Sequence, residues 1–250
     1  RKVATTSPFP KYNKPTPENA YQALKELESV HGKIEKPKNK GNMSVLDSLV
    51  RTILSQNTTD VTSFRAFKQL KKRFPKYEDI ETAQLKDIEA EIKCCGLAER
   101  RALVIQKIIR TLREERNKLS LEFLHGYTDE EVKKELCRFK GVGPKTAACV
   151  LMFCLCRPEF PVDTHVWRIS KKLKWVPTPA ATRIQTYLHL NARIPDDIKY
   201  QLHCLLVEHG KYCKKCAKNN KPRKKPIIEN CPLNTGCMKN RNKLEEKEKK

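Results

Sequence analysis

Apolar side chains recur every three or four residues along most of the chain, and this spacing predicts helices. The apolar stripes lie within residues 21–30, 45–53, 64–74, 85–92, 103–112, 132–139, 166–173 and 196–209. Residues 147–155 are apolar on nearly all sides, as expected of a helix buried at the centre of a domain. No segment of useful length alternates apolar and polar residues as a half-buried strand does. The pattern therefore predicts an all-α protein.

The predicted helices group into two helical lobes. We predict a six-helix barrel over residues 41–157, and a second, discontinuous helical domain from residues 16–40 together with 158–238. Residues 1–15 combine prolines with charge and are expected to form a disordered basic tail, and residues 239–250 form a charged tail. The longest apolar runs are too short to cross a bilayer, so we expect no membrane partner.

The charge balance of the chain indicates the kind of partner that it binds. The chain has 52 Lys and Arg residues against 29 Asp and Glu residues, a formal net charge of +23. A polyanion is therefore the expected partner. The basic run at residues 221–226 could contact DNA or serve as a nuclear import signal, although such runs are often solvated loops.

A glycine-containing turn joins two predicted helices and is a candidate phosphate-binding site. Gly141 and Gly143 flank Val142 and allow a tight turn with positive φ. Pro144 then begins the next helix, whose first N–H groups point at the turn. Such N–H groups bind phosphate without reading base sequence. An ordinary αα-hairpin with a glycine turn is the structural alternative.

Two charged residues near this turn are candidates for chemistry. Lys145 falls in the first turn of the following helix, where a cation interacts unfavourably with the helix dipole. Lysine is therefore a poor choice for stability and a candidate nucleophile. Eighteen residues later, Asp163 precedes another amphipathic helix, where a helix cap is the alternative to a catalytic role.

The segments Gly141–Ala147 and Val162–His165 together closely resemble the helix-hairpin-helix DNA glycosylases of the endonuclease III type. The resemblance extends over residues 46–237. It implies that Lys145 attacks C1′ of the sugar and that Asp163 stabilises the developing positive charge. Lysine at this position implies a bifunctional DNA glycosylase and AP lyase of base excision repair, which cuts the strand by β-elimination.

The resemblance also implies the partner and the residues that contact it. The partner is double-stranded DNA with a flipped-out base, bound by a protein that we expect to be a monomer. The turn residues already described would bind the DNA backbone. Gln56 or Asn57 would fill the gap left by the base. Leu97 would act as a second wedge between base steps, or else pack as a core residue at a helix junction.

Four cysteines near the C-terminus predict a metal site. Cys213, Cys216, Cys231 and Cys237 are separated by two, fourteen and five residues. On spacing alone, tetrahedral zinc is a fair interpretation. The resemblance favours a 4Fe–4S cluster of structural role, although the family intervals are six, two and five residues. The zinc alternative therefore stays open beside the cluster.

The resemblance implies a specific reaction, but it leaves several candidates for the base that the reaction removes. Endonuclease III itself excises oxidised pyrimidines, which we take as the first expectation. Residues 160–164, followed by residues 168–169 and 175–177, are also similar to the plant Demeter-type glycosylases, which excise 5-methylcytosine. A G·T mismatch glycosylase is a third candidate. A catalytically silent DNA-binding module is the alternative outside enzymes. We expect a nuclear protein, with an organelle as the other possible location.

Overall fold

The computed structural model describes residues 6–36, 43–177, 181–222 and 225–234. Eleven α-helices lie in these residues, and no β-strand does. The helices are α1 (Pro17–His31), α2 (Val45–Ser55), α3 (Asp60–Arg73), α4 (Tyr77–Thr82), α5 (Leu85–Ile92), α6 (Ala98–Arg116), α7 (Asp129–Cys137), α8 (Pro144–Phe153), α9 (Thr164–Lys172), α10 (Arg183–Arg193) and α11 (Lys199–Tyr212). Short 3₁₀ helices lie at Lys93–Cys95, Glu122–Gly126, Lys218–Asn220 and Pro232–Asn234. The all-α prediction is confirmed.

The helices separate into two compact units. One unit is the continuous segment Asn39–Arg157, and the other combines Arg1–Lys38 with Pro158–Lys250. The first contains α2–α8, which are the six helices expected from the pattern plus the short α4. Among the described helices, none combines the length and the apolar character that a bilayer span requires.

Packing in the core of the first unit determines the position of the first turn of α8. Helix α2 begins after Ser44, whose side chain accepts a hydrogen bond from the Asp47 N–H at 3.0 Å. Leu49 and Ile53 on this helix are buried, and α2 packs against α8. Helix α8 is buried along most of its length, as its all-round apolar sequence predicted. This burial fixes the direction of α8 and therefore the position of Lys145 in its first turn.

In the second unit, α9 packs closely against α11. A Cβ atom at Gly210 would lie 2.4 Å from Nδ1 of His165, so only glycine permits this approach of the two helices. Helix α1 packs on α11 as well, and it begins at the predicted cap Thr16 and ends at Gly32, which has φ +79°. These contacts hold the N-terminal helix in the C-terminal unit.

The predicted disordered tail is wrong for residues 6–15, and residues 1–5 lie outside the described residues. Ser7 Oγ lies 2.6 Å from Nδ1 of His189, and the Tyr12 hydroxyl donates to the carbonyl of Lys174 at 2.6 Å. Nε2 of His189 lies 2.6 Å from the Lys14 carbonyl oxygen. Long-range hydrogen bonds to a buried imidazole order this segment, and composition does not reveal them.

The docking of this segment is expected to weaken in acid. Burial lowers the pKa of His189 below its ordinary value of 6.5, although its hydrogen bond to Lys14 acts in the opposite direction. As pH falls, the His189 imidazole takes up its proton at a higher pH in the unfolded chain than in the folded chain. The free energy of unfolding therefore decreases as pH falls. We expect His189→Gln to remove this contribution. The gap in Tm between wild type and variant should shrink from about pH 8 to about pH 5. A gap independent of pH would contradict this account.

Candidate functional site

The turn between α7 and α8 needs glycine at one position. Gly141 has φ +98°, and a Cβ atom there would lie 2.8 Å from Cγ2 of Val104. Gly143 has φ −110° and open space around it. Of the two glycines, Gly141 therefore has the positive φ that was predicted for the turn, and Gly143 does not. Val142 is buried, and its N–H donates to the carbonyl of Phe139 at 3.0 Å. The turn is therefore tight and anchored in the core.

Lys145 is the second residue of α8 and is half-buried. Its backbone N–H lies in the first helical turn, where no carbonyl of the same helix is available as an acceptor. The first turn of α8 contains no acidic residue that would offset the lysine charge. The position therefore suits a chemical role better than a stabilising one.

The residue that follows α2 contacts the first turn of α8. Gln56 follows α2 directly, and its Nε2 donates to Oγ1 of Thr146 at 3.3 Å. Thr146 is the residue after Lys145. Asn57 is exposed and has φ +55°, the left-handed conformation that turns its backbone away from the helix. The two candidate gap-filling residues therefore differ, because Gln56 is tethered inside the unit and Asn57 is exposed to solvent.

Arg101 on α6 is a positioning residue that sequence reasoning missed. It is 4% exposed, and its guanidinium donates to the carbonyl oxygens of Leu54, at 2.8 Å, and Gln56. Helix α2 has no basic residue in its own last turn, so Arg101 supplies the cation at the negative end of that helix. No sequence signal identified it, because its partners are backbone atoms about 45 residues away.

Leu97 precedes α6 and lies close to Arg101 in the sequence. Its side chain is 59% exposed and its backbone has φ +49°. The core alternative for Leu97 is therefore wrong. A left-handed conformation at a non-glycine residue costs on the order of 1 kcal/mol, and strain of this kind concentrates at functional sites.

Replacing Arg101 by glutamine should disturb the segment that contains Gln56 and Asn57. The buried carbonyl groups that lose their partner cost about 1–3 kcal/mol, so Tm falls by several degrees. The resemblance to DNA glycosylases further implies that processing of a base in duplex DNA should suffer more than cleavage at a preformed single-stranded abasic site, which leaves no gap in a helix. Arg100→Gln, at an exposed neighbouring position, is the matched control. Equal loss on both substrates would argue against a positioning role.

Asp163 lies in the second unit and is the N-terminal cap of α9. Its Oδ1 accepts the N–H of Val166 at 2.8 Å. The capping interpretation is therefore confirmed, and it leaves the second carboxylate oxygen for another partner. Helix α9 is also attached to the cysteine-containing loop, because Arg168 Nε donates to the carbonyl of Cys216 at 2.7 Å and Lys172 Nζ to that of Lys215 at 2.5 Å.

Three of the four predicted metal ligands come together. Cys213, Cys216 and Cys231 are buried with His209, and the four donor atoms all lie within 4.8 Å of one another. Cys237 lies outside the described residues. Three thiols and an imidazole are a donor set that metals such as zinc bind, so this group could hold a metal. Sequence reasoning did not identify His209 as a member of this group.

The cluster affects the charge states of its thiols differently, because hydrogen bonds to Cys213 and Cys231, together with burial, raise the pKa of Cys216. Hydrogen bonds from the neighbouring thiols lower the pKa of Cys213 well below its ordinary value, although burial acts against this. Burial by itself lowers the pKa of His209, but hydrogen bonds to Cys213 and Cys231 and their charges more than offset this effect and raise it to about 9. Thiolate sulfur is the form that binds metal.

Comparison with known proteins agrees with these features. The family model described as the HhH-GPD superfamily base excision DNA repair protein matches residues 50–195. An Arabidopsis thaliana protein named as a DNA glycosylase is 54% identical over 192 residues, which cover 76% of this chain and 65% of that protein. The chain thus spans just under two thirds of that relative's length. Endonuclease III of Thermotoga maritima is 31% identical over 201 residues, which cover 80% of this chain and 86% of that protein.

A comparison with solved structures agrees with the sequence comparisons. A solved structure of endonuclease III in a non-covalent complex with DNA matches with a TM-score of 0.70 at 22% identity, and covers 92% of this chain and 99% of that chain. At that identity the likeness concerns the fold. The family model covers more than half of the chain, and the chain therefore belongs to the HhH-GPD superfamily of base excision DNA repair proteins.

Proposed function

We propose that this protein is a bifunctional DNA glycosylase and AP lyase that excises a damaged, oxidised pyrimidine from double-stranded DNA. The observation that carries the proposal is the position of Lys145 in the first turn of α8, directly after the Gly141 turn. A lysine there has no stabilising partner in the helix, whereas a nucleophile at the start of a buried helix is held in a fixed direction.

The reaction uses two side chains. The bond between C1′ and the base breaks, and its electron pair leaves with the base while positive charge develops on the sugar. The Asp163 carboxylate stabilises that charge. The Lys145 amine bonds to C1′ and the ring opens to a Schiff base. Loss of a 2′ proton then expels the 3′ phosphate, and water releases the lysine from C1′.

The turn and the two exposed segments supply the DNA contacts. The N–H groups of Gly141 and Gly143 are proposed to bind a backbone phosphate, which positions the strand without reading its sequence. Val142 contributes by anchoring the turn, since its own N–H donates to the Phe139 carbonyl. Asn57 is proposed to fill the gap left by the flipped base, a role supported by its exposure, while Gln56 supports it from the side of Thr146. Leu97 is proposed as the apolar wedge, a role supported by its 59% exposure.

The test is borohydride trapping, which reduces a Schiff base to a stable protein–DNA adduct. The panel contains duplexes with thymine glycol, 5-methylcytosine, a G·T mismatch or an abasic site. We expect the strongest adduct on thymine glycol and the abasic site. A preferred adduct on 5-methylcytosine would favour demethylation, the second candidate, which rests on the Demeter-like residues around Asp163. No adduct on any duplex would favour a silent DNA-binding module.

The metal and the compartment complete the proposal. A metal in the cysteine group has a structural role, because the loop carrying Cys216 is bound to α9 and α9 begins at Asp163. The family resemblance implies a 4Fe–4S cluster on four cysteines, and the metal content of the purified chain distinguishes such a cluster from a single zinc ion. We propose a nuclear location from the basic tails and the Demeter-like stretch. The basic run at residues 221–226 is a candidate import signal, and residues 223 and 224 within it lie outside the described residues. Imaging of a tagged full chain tests this location.

A further inference from the structure

We infer that the buried cluster His209–Cys213–Cys216–Cys231 binds one tetrahedral metal ion, with zinc as the expected occupant, and that His209 is the fourth ligand. Three thiolates and one imidazole form a complete set for structural zinc, which takes four N or S ligands. Each of the four residues is at most 5% exposed, as a closed structural site requires. The inference is independent of the proposed reaction.

The separations between donor atoms favour a single ion. Sγ of Cys216 and Sγ of Cys231 lie 3.6 Å apart, and Nε2 of His209 lies 3.4 Å from Sγ of Cys231. Metal–sulfur bonds of about 2.3 Å at tetrahedral angles put two sulfurs roughly 3.8 Å apart. In a 4Fe–4S cubane each thiolate binds a different iron, which spreads the sulfurs to on the order of 6 Å. The largest separation here, 4.8 Å, is below that spread.

The chain builds this site from a helix end and a tight turn. His209 and Cys213 are four residues apart, and Cys213 is the C-cap of α11, so the two side chains share one face. The Cys216 and Ala217 N–H groups donate to the Cys213 carbonyl at 3.2 and 2.8 Å, which folds the Cys-x-x-Cys segment back on itself. The backbone of this segment thus brings three of the donors together.

A backbone bridge delivers the fourth donor. Ile228 pairs with Cys213, because the Ile228 N–H donates to the Tyr212 carbonyl and the Lys214 N–H donates to the Ile228 carbonyl, both at 3.0 Å. Cys231 lies three residues after this bridge and is buried beside His209. Cys216 and Cys231, which fourteen residues separate in the sequence, therefore meet at the cluster.

The second ring nitrogen of His209 also has a hydrogen-bond partner, as expected of an imidazole that binds metal. Nδ1 of His209 lies 3.0 Å from Nε2 of His31 on α1. A histidine that binds metal through Nε2 donates Nδ1–H to a neighbouring acceptor, which fixes its tautomer and ring orientation. Unprotonated Nε2 of His31 is such an acceptor. The ligand set therefore ties α1, α11 and the loop together.

The experiment measures metal in the full chain and in two variants. The protein is produced in medium with both iron and zinc and purified without oxygen, so that a cluster would survive. We expect about one zinc per chain and no bound iron or sulfide. His209→Ala should lose most of the zinc, while Cys237→Ser, the matched control, should keep it. Cobalt substituted into the wild type should show the visible bands of a tetrahedral thiolate site, and these should shift in His209→Cys.

Three results would overturn the inference. They are iron and sulfide in equal amounts of about four per chain, loss of metal in Cys237→Ser with retention in His209→Ala, and no metal in the wild type. If His209→Ala fails to fold, the metal content of the wild type and of Cys237→Ser still decides between one ion and a cluster. Because none of these readouts uses DNA, failure here is distinguishable from failure of the proposed function.

Discussion

Glutamine in place of Lys145 should abolish the trapped adduct and β-elimination, with a loss on the order of 10³-fold or more. The amide of glutamine cannot attack C1′, so the covalent step disappears. The fold should tolerate the change, because removing a cation from the first turn of α8 relieves an unfavourable interaction with the helix dipole of about 0.3–1 kcal/mol. Borohydride trapping and strand cleavage on an abasic duplex measure the effect, and thermal unfolding confirms the fold.

The control for this experiment removes a charge without removing the nucleophile. Lys140 lies in the same turn and is exposed, so Lys140→Gln lowers the local positive charge by the same amount. We expect that variant to form adduct, with a dependence on salt that reflects weaker DNA binding. If Lys145→Gln cut the strand as fast as the wild type, another amine would be the nucleophile.

Asparagine in place of Asp163 should lower base excision by about 10²–10³-fold while leaving the fold intact. Asparagine caps a helix as well as aspartate does, and its carbonyl oxygen can accept the Val166 N–H in the same way. The substitution therefore removes charge from the site and little else. Single-turnover release of base measures the loss, and unchanged Tm is the expected accompaniment.

Alanine at the same position separates the two roles of Asp163. Asp163→Ala removes the cap as well as the charge, which costs about 1 kcal/mol of stability in addition to activity. If the carboxylate serves only as a cap, the alanine variant loses activity and Asp163→Asn keeps it. Activity lost to the same degree in both variants would assign the effect to the charge.

The fold was predictable because its signals are local. Helical periodicity and caps such as Thr16 depend on residues close together in the chain, and the structure has α1 where they place it. The glycine turn was predictable in outline, but the requirement for Gly141 comes from Val104 on another helix. Local signals therefore located the elements, and contacts distant in sequence determined which residue of a motif is indispensable.

The parts that were missed depend on partners that leave no pattern. Arg101 bonds to backbone carbonyls, which every residue has, so nothing in the sequence distinguishes it from the other arginines of α6. His189 holds the N-terminal segment across 182 residues through Ser7. His209 becomes a candidate ligand only when α11 ends at Tyr212 and its last turn faces Cys231. Each of these requires the tertiary arrangement.

The single guanidinium of Arg101 has a consequence for local unfolding. It holds the last carbonyls of α2 while its own helix begins one residue after Leu97. Opening of the segment around Gln56 therefore breaks contacts that also order the start of α6. The two segments share one cooperative opening event and one opening free energy, so amide hydrogens at both places should exchange with solvent together.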